Sequence, residues 1–388
     1  MKKSAEKLNI LMIASSRRIG LTYHLTRLSI KLKKRGHNVT CIASSGEQDK
    51  GLQEMLKDHH IKLYRCNSID KKNLYSIYNG ARTIAKIIKL GDIDIVHTNG
   101  PAHLMQSCLA RKLMLTNSKK PDIVLSLRYI APGNKKLKYM LLSRLINMCA
   151  DVVFPISEFV RLKLIKFGLK PSKAITVYGA IDFDKFYSNM PQEICPELKN
   201  INFGSSNSVA YIGDLHPLKG HKYYLEAAFQ VLKIFPYTKF LIIGDGPLRI
   251  ELQKMAAKLG IIRNVIFTGR IRNECIPQIL KSVDIGVVSS LAETFCRALV
   301  EPMAAGKPVV TTPIGVAPEI IEDGVTGFIV PLKDSNALAN AIIKLLENPE
   351  KAKQMGAKGA KLVREKFNLD KIVSQLEDVY RLVTRLKR

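Results

Sequence analysis

Short apolar runs rich in Val and Ile alternate with amphipathic stretches along almost the whole chain, and this alternation restricts its fold more than any other feature. The first series of apolar runs is NILMIA, NVTCIAS, DIDIVHT, DIVLSL, DVVFPIS and AITVYGA, with helical patterns such as TYHLTRLSIKLKKRG between them. Nearly continuous apolar strands separated by helices are typical of parallel sheets covered by helices on both faces. The pattern predicts a doubly wound α/β fold.

A second series begins after residue 200 and contains SVAYIGD, KFLIIGD, NVIFTGR, DIGVVSS, KPVVTTP and GFIVPL. Between the two series lies the polar stretch FYSNMPQEICPELKNINFGSSNS, which contains two prolines and has no sustained hydrophobic period. Such a stretch is typical of a linker between domains. We therefore predict an N-terminal domain over residues 1–186, a linker over 187–207 and a C-terminal domain over 208–388.

Positive charge is concentrated in the first of these domains. The chain has a formal net charge of +28, and residues up to Phe186 hold 34 of its 61 Lys and Arg but only 13 of its 33 Asp and Glu. A basic surface favours nucleic acid, an anionic membrane or a phosphorylated substrate as partner, unless it is merely solvated. Aromatic residues make up only 7% of the chain and do not cluster with the basic runs. This argues against nucleic acid, which binds on aromatic stacking platforms.

The cysteines and the apolar runs indicate a cellular compartment. The seven cysteines are odd in number and never form a C-x-x-C pair, which predicts free thiols in a reducing compartment and no zinc site. No apolar run approaches the roughly 18 to 20 residues needed to span a bilayer. We expect a cytoplasmic protein that is at most peripheral to the cytoplasmic face of a membrane.

The segment SSLAETFCRALVEPMAAGKPVVTT contains the most informative pattern. It predicts a helix over residues 295–305 with Thr294 as N-cap and Gly306 just beyond its end. Glu293 would lie at the mouth of this helix and Glu301 two turns further along. A helix N-terminus at the carboxyl edge of a parallel sheet binds phosphate, and carboxylates accept hydrogen bonds from hydroxyl groups, so the pattern suits a phosphorylated sugar. The alternative is a pair of solvated helical glutamates.

Glu293, Glu301 and the following AAGKPVVTT and PEIIEDGVTGFIV resemble the E-x7-E segment of the family 4 retaining glycosyltransferases, which have the GT-B fold. RGHNVTCIA, DIVHTNG, YIGDLHPLKGHKYYLEAA, IIGDGPLRIELQKMAAKLGI, VIFTGRI and DIGVVSS also follow that family's order and spacing. The resemblance implies two Rossmann-like domains facing across a cleft. It further implies that the final helix, about 369–388, packs back on the N-terminal domain.

The same resemblance implies residue roles. Glu293 would contact hydroxyls of the donor sugar, Glu301 would hold the ribose hydroxyls of the nucleotide, and Lys219 would neutralise the donor diphosphate. The remaining donor-site positions implied are the backbone amides of Thr294, Phe295 and Cys296, the base pocket at Asp245, Gly246, Pro247 and Arg270, and the N-terminal glycine loop at Gly20.

Several positions depart from the family pattern. Asp214 stands where many relatives carry an arginine, so Arg17, Arg18 and Arg270 are candidates for the missing cation. Arg128 stands where the family has a histidine near the sugar, and it is the third candidate catalytic residue beside Glu293 and Lys219. Arginine keeps its proton and cannot act as a base at neutral pH. Two further departures lie at the paired glutamates: Thr294 replaces a glycine and Pro302 an alanine.

The expected reaction is retaining transfer of a sugar from a nucleoside diphosphate sugar to a hydroxyl group, with no cofactor and no metal. The acceptor would bind the basic N-terminal domain. There NKKLKYMLLSRLINMCA and EFVRLKLIKFGLKPSK combine Lys and Arg with large apolar residues, as interfacial helices do. The alternative is that these are two ordinary surface helices whose apolar sides are buried in the core. We expect a lipid-linked glycan or a lipopolysaccharide-type acceptor at an anionic membrane. The alternatives are a degenerate GT-B protein that binds without transfer, and a sugar-nucleotide epimerase.

Overall fold

Two compact units, each built on one parallel sheet, make up the described chain. The computed structural model describes residues 7–13, 19–44, 50–71, 73–114, 119–130, 135–187, 195 and 207–385. One unit comprises Met1–Ala180 with Asp370–Arg388, and the other comprises Ile181–Leu369. Each holds a six-stranded sheet in which neighbouring strands run parallel. The predicted α/β class is therefore confirmed.

Strands and helices alternate in both units, as the apolar runs predict. In the first unit the strands are β1 (Asn9–Ile13), β2 (Asn38–Ala43), β3 (Lys62–Arg65), β4 (Ile95–Asn99), β5 (Asp122–Leu127) and β6 (Val152–Pro155). The helices are α1 (Ile19–Lys34), α2 (Lys50–Asp58), α3 (Leu74–Gly91), α4 (Pro101–Leu113), α5 (Lys136–Cys149) and α6 (Glu158–Lys166).

The second unit repeats this arrangement. Its strands are β7 (Ser208–Ile212), β8 (Lys239–Ile243), β9 (Val265–Gly269), β10 (Ile285–Val288), β11 (Val309–Thr311) and β12 (Phe328–Ile329). Its helices are α7 (Asp184–Tyr187), α8 (His221–Leu232), α9 (Arg249–Lys258), α10 (Ile276–Lys281), α11 (Arg297–Ala304), α12 (Ala317–Ile320), α13 (Ser335–Glu347) and α14 (Pro349–Phe367), and α15 (Leu369–Arg385) follows.

The two sheets have the same strand order. It is β3-β2-β1-β4-β5-β6 in the first unit and β9-β8-β7-β10-β11-β12 in the second. In each sheet the order reverses between the first and fourth strands, β1 and β4 or β7 and β10. Ligands of doubly wound sheets bind beyond the carboxyl ends of the strands at this topological switch point. The loops after β7 and β10, and those after β1 and β4, are therefore the expected positions for a ligand site.

Helix α15 packs within the first unit although it lies at the far end of the sequence. Its Leu376 and Val383 are buried, and the Tyr380 hydroxyl is hydrogen-bonded to Nδ1 of His97 on β4. Arg35, which follows α1, pairs with Glu377 at 2.7 Å. The last helix is thus an integral part of the first unit's core.

Two expectations drawn from the sequence are wrong. AITVYGA does not form a strand: it pairs with β6 only through a bridge at Ala174 and two hydrogen bonds from alternate residues. Cys195 and Cys275 form a disulfide with their Cα atoms 5.7 Å apart, so these two are not free thiols. A pairing across 80 residues has no local spacing signal.

Within the described ranges, no helix combines the length and the apolar character needed to cross a membrane.

Candidate active site

Lys219 is held by a tight contact between the loops after β7 and β10. It ends a short turn, Pro217–Lys219, and is followed by Gly220 at φ +66°. A Cβ on Gly220 would lie 2.1 Å from the Ser289 carbonyl oxygen, so only glycine fits there. The Tyr211 hydroxyl donates to the Lys219 carbonyl at 2.5 Å. The backbone at Lys219 is therefore fixed from two sides.

The Lys219 side chain meets the first of the paired glutamates. Its Nζ donates to Oε1 of Glu293 at 2.5 Å, and Ser290 Oγ lies 3.4 Å from the same oxygen. Burial opposes the charge of Lys219, but the carboxylate of Glu293, with smaller contributions from Cys296 and Asp214, raises the lysine's pKa above its ordinary value. The site thus contains a permanent ammonium ion next to a carboxylate.

Helix α11 begins later than the sequence pattern predicts. The expected start at Phe295 with Thr294 as cap is wrong. The N-cap is Cys296, which adopts a left-handed conformation at φ +76°, and the helix runs from Arg297 to Ala304. The chain cannot enter the helix earlier because the Phe295 carbonyl accepts a hydrogen bond from the Val316 amide at 3.1 Å. Among the described residues, no acceptor faces the amides of Phe295 and Cys296.

Pro302 lies inside α11, where a proline normally disrupts a helix. Gly286 on β10 makes room for it: a Cβ there would lie 2.6 Å from the Pro302 Cβ. The proline at this departure from the family pattern therefore packs the helix directly on the sheet.

Glu301, the second of the paired glutamates, is nearly buried on α11. Its Oε1 accepts hydrogen bonds from Nε and Nη2 of Arg297 at 3.0 and 2.6 Å. Arg297 is a site residue that was not predicted from the sequence. An arginine four residues before a glutamate on a predicted helix was the signal that could have identified it.

The loop after β8 brings two of the predicted base-pocket residues, Asp245 and Gly246, against the loop after β7. The Leu215 amide donates to the Asp245 carbonyl at 3.1 Å, and a Cβ on Gly246 would lie 2.7 Å from the Leu215 carbonyl oxygen. Pro247 is exposed, as is Arg270, which directly follows β9. Asp214 is also exposed, and its negative charge helps to raise the pKa of Lys219.

In the first unit, Arg128 follows β5 and is half-buried. Burial, and secondly the charge of Arg128, lower the pKa of His97 to about 3. His97 is held between Tyr380 and Ser126, whose Oγ lies 2.7 Å from Nε2. Gly20 lies in the first turn of α1, so the expected glycine loop does not include it.

The two arginines proposed as substitute cations beside Gly20, Arg17 and Arg18, lie outside the described residues.

Two family models match the chain. Residues 19–185 match the model "Glycosyltransferase Family 4", and residues 198–362 match "Glycosyl transferases group 1". Together they include most of both units.

Individual relatives agree with the models. N-acetyl-alpha-D-glucosaminyl L-malate synthase of Bacillus anthracis is 26% identical over 93% of this chain and 93% of its own length. A GDP-mannose-dependent alpha-(1-6)-phosphatidylinositol monomannoside mannosyltransferase of Mycolicibacterium smegmatis is 31% identical over 56% of this chain, a match that spans 58% of that protein. The crystal structure of Anabaena Alr3699/HepE in complex with UDP and glucose has the same fold, with a TM-score of 0.79 and 23% identity over 96% of this chain and 99% of that one. The chain belongs to the family 4 glycosyltransferases with the GT-B fold.

Proposed function

We propose that the chain transfers a sugar, with retention of anomeric configuration, from a nucleoside diphosphate sugar to a hydroxyl of a lipid-linked or lipopolysaccharide-type acceptor. The observation that carries this proposal is the Lys219–Glu293 pair, which lies at the switch point of the second sheet. It combines a cation for a diphosphate with a carboxylate for sugar hydroxyls.

Departure of the diphosphate is the step that these residues assist. Glycosyl transfer passes through an oxocarbenium-like state while negative charge develops on the leaving phosphate. The Lys219 ammonium and the amides of Phe295 and Cys296 oppose that charge, and preorganised donors of this kind are the strongest single contribution in many enzymes. Glu293 binds hydroxyls of the donor sugar. These protein groups act on the leaving phosphate without a bound metal.

The acceptor proton goes to the leaving phosphate itself, on the face from which the sugar departs. Arg128 contributes a fixed positive charge in the acceptor-binding unit and accepts no proton. A product with inverted configuration, identified by the anomeric coupling in its proton NMR spectrum, would contradict this front-face step.

Donor binding is tested by thermal shift of the purified protein with UDP, GDP, ADP, CMP and their common sugars. Ligand that binds only the folded state stabilises it. We expect one nucleoside diphosphate to stabilise the wild type, and Glu301→Ala to abolish the effect. Glu226→Ala removes another helical glutamate of the same unit, from an exposed ion pair with Lys222, and should respond as the wild type does. No shift with any nucleotide at millimolar concentration would favour a degenerate protein that binds without transfer.

The acceptor class rests on an apolar stripe exposed on α5. Leu137, Leu141 and Met148 are 70%, 59% and 66% exposed, whereas Tyr139 and Ile146 on the opposite side of the helix are buried. Five basic residues accompany the stripe on α5 and α6 or just before them: Lys135, Lys136, Lys138, Arg144 and Lys166, all of which are exposed. A helix with this composition suits the surface of an anionic bilayer on the cytoplasmic side. The M. smegmatis relative is named for a phosphatidylinositol glycolipid acceptor.

Sedimentation with vesicles tests this surface. The protein should bind phosphatidylglycerol vesicles at low salt and not phosphatidylcholine vesicles. The double variant Leu137→Ser/Leu141→Ser should lose most of this binding. Leu90→Ser alters an equally exposed leucine on α3 and should retain it. Absence of binding to anionic vesicles by the wild type would refute the membrane proposal and favour a small soluble acceptor.

A further inference from the structure

Arg297 and Glu301 in the candidate site form an ion pair whose order along α11, arginine before glutamate, is not explained by helix stability. Arg297 is the first residue of α11 and Glu301 is the fifth of its eight. Positive charge at a helix N-terminus opposes the helix dipole, and the favourable order for an i,i+4 ion pair places the glutamate first. Local rules broken in this way occur mainly at functional positions.

Burial makes a partner for Glu301 necessary. The side chain of Glu301 is 11% exposed and that of Arg297 is 45% exposed. A nearly buried carboxylate must be paired or hydrogen-bonded to remain charged. Arg297 is the more exposed partner, so it pairs with Glu301 from the side of α11 that faces solvent.

The geometry of the pair leaves one carboxylate oxygen for other donors. The two hydrogen bonds that Arg297 donates to Glu301, from Nε and Nη2, both go to Oε1. Within the part of the chain that the structure describes, Oε2 receives no side-chain or backbone donor. A carboxylate oxygen can accept two hydrogen bonds. Oε2 therefore has the capacity for two neighbouring hydroxyl groups.

We propose that Arg297 is a positioning residue that fixes the Glu301 carboxylate so that Oε2 accepts the 2′- and 3′-hydroxyls of the donor ribose. This inference rests on the proposed function, which supplies the nucleoside diphosphate. Its consequence is selectivity for ribonucleotides over 2′-deoxyribonucleotides. A site built to hydrogen-bond a hydroxyl discriminates against the analogue that lacks it, and that discrimination depends on a fixed acceptor.

Isothermal titration calorimetry with UDP and 2′-deoxy-UDP, and with GDP and 2′-deoxy-GDP, tests the proposal. We expect the wild type to prefer the ribonucleotide by about tenfold or more. In Arg297→Gln the preference should fall to about threefold or less. Arg297→Lys keeps a positive charge without the two-pronged geometry and should show an intermediate preference. Lys222→Ala removes another i,i+4 ion pair of the second unit and should behave as the wild type does.

The ratio of ribonucleotide to 2′-deoxyribonucleotide affinity distinguishes a positioning role of Arg297 from a purely structural one. If Arg297 only stabilised α11, Arg297→Gln would weaken both nucleotides equally and leave their ratio unchanged, which would overturn the inference. Equal binding of ribo- and deoxyribonucleotides by the wild type would also overturn it, while the proposed function would stand. If the wild type bound none of the four nucleotides, the proposed function and this inference would fall together.

Discussion

The two units have sheets of the same strand order, yet the residues at their switch points have different chemistry. After β7 and β10, a lysine and a glutamate of the second unit lie in direct contact, and both side chains are half-buried. In the first unit, β4 borders the switch point and instead buries its His97 between Tyr380 on α15 and Ser126 on β5. Topology therefore fixes where a ligand can bind but not which ligand it is. The function is determined by the side chains that each unit presents at the same place in its fold.

The largest expected effect comes from removing the cation of the second unit. Lys219→Ala should lower kcat for sugar transfer by about 10²–10³-fold, because one preorganised donor to the leaving group is lost. Release of nucleoside diphosphate from the donor measures the rate. Lys222→Ala removes an exposed lysine three residues away and should leave the rate unchanged. A loss of less than tenfold in Lys219→Ala would show that the leaving group depends on another cation.

Backbone packing at the second switch point should be the next most sensitive feature. Gly220→Ala combines a left-handed conformation with a Cβ placed against the Ser289 carbonyl oxygen, and should cost about 3 kcal/mol or more. Gly36→Ala, after α1 in the first unit, has φ +95° but no atom within 4 Å of its Cβ. It should cost only about 1–2 kcal/mol. Urea unfolding of both variants measures the difference, and equal costs would contradict the importance of the loop contact.

Acid should destabilise both units through one buried histidine each. Burial lowers the pKa of His97 and of His221 to about 3, with help from the charges of Arg128 and Lys219 respectively. In the unfolded chain both return to about 6.5, so the unfolded state binds more protons below that pH. Stability therefore falls as pH falls from 6.5 towards 3. Each histidine should account for about 1.5 kcal/mol between pH 6.5 and pH 5.

Variants at the two histidines distinguish the units. The ring of His221 stacks on Tyr211, and neither of its nitrogens has a hydrogen-bond partner among the described residues. His221→Phe should therefore retain stability at pH 7.5 and lose less of it at pH 5. His97→Gln should also lose less at pH 5, but it should be less stable than the wild type at pH 7.5 because Tyr380 and Ser126 lose their shared partner. Urea unfolding at both pH values would contradict this account if either variant kept the full pH dependence.

The sequence predicted the parts of the fold that local patterns encode. Eleven of the twelve strands in the described part of the chain correspond to the apolar runs named from the sequence, but β3 was missed. In its residues Lys62–Arg65 the alternation of polar and apolar side chains is weak, and none of them is buried. The disulfide between Cys195 and Cys275 was missed because pairing across 80 residues depends on the tertiary fold. Neither feature has a periodic signal.

At the candidate site, residue identity was easier to predict than geometry. The sequence singled out Glu293, Glu301 and Lys219, but it gave no sign that Lys219 and Glu293 are in contact. The start of α11 was misplaced by two residues because Cys296 adopts a left-handed conformation that favours glycine. That conformation is imposed by the neighbouring loop, where the Val316 amide binds the Phe295 carbonyl, so propensity alone could not predict it.

The smallest expected effect concerns the helix that distinguishes the first unit, α15. Two cations at the end of α1 contact it: Lys31 pairs with exposed Asp370 at 3.0 Å, and Arg35 pairs with buried Glu377 at 2.7 Å. Lys31→Ala should cost no more than about 0.5 kcal/mol, because water already solvates both partners. Among the described residues, Arg35→Ala leaves the buried Glu377 carboxylate with the His37 ring as its remaining side-chain hydrogen-bond partner, and the change should cost about 1.5–3 kcal/mol. If urea unfolding gave equal costs for the two variants, burial of Glu377 would not be what holds the last helix to the first unit.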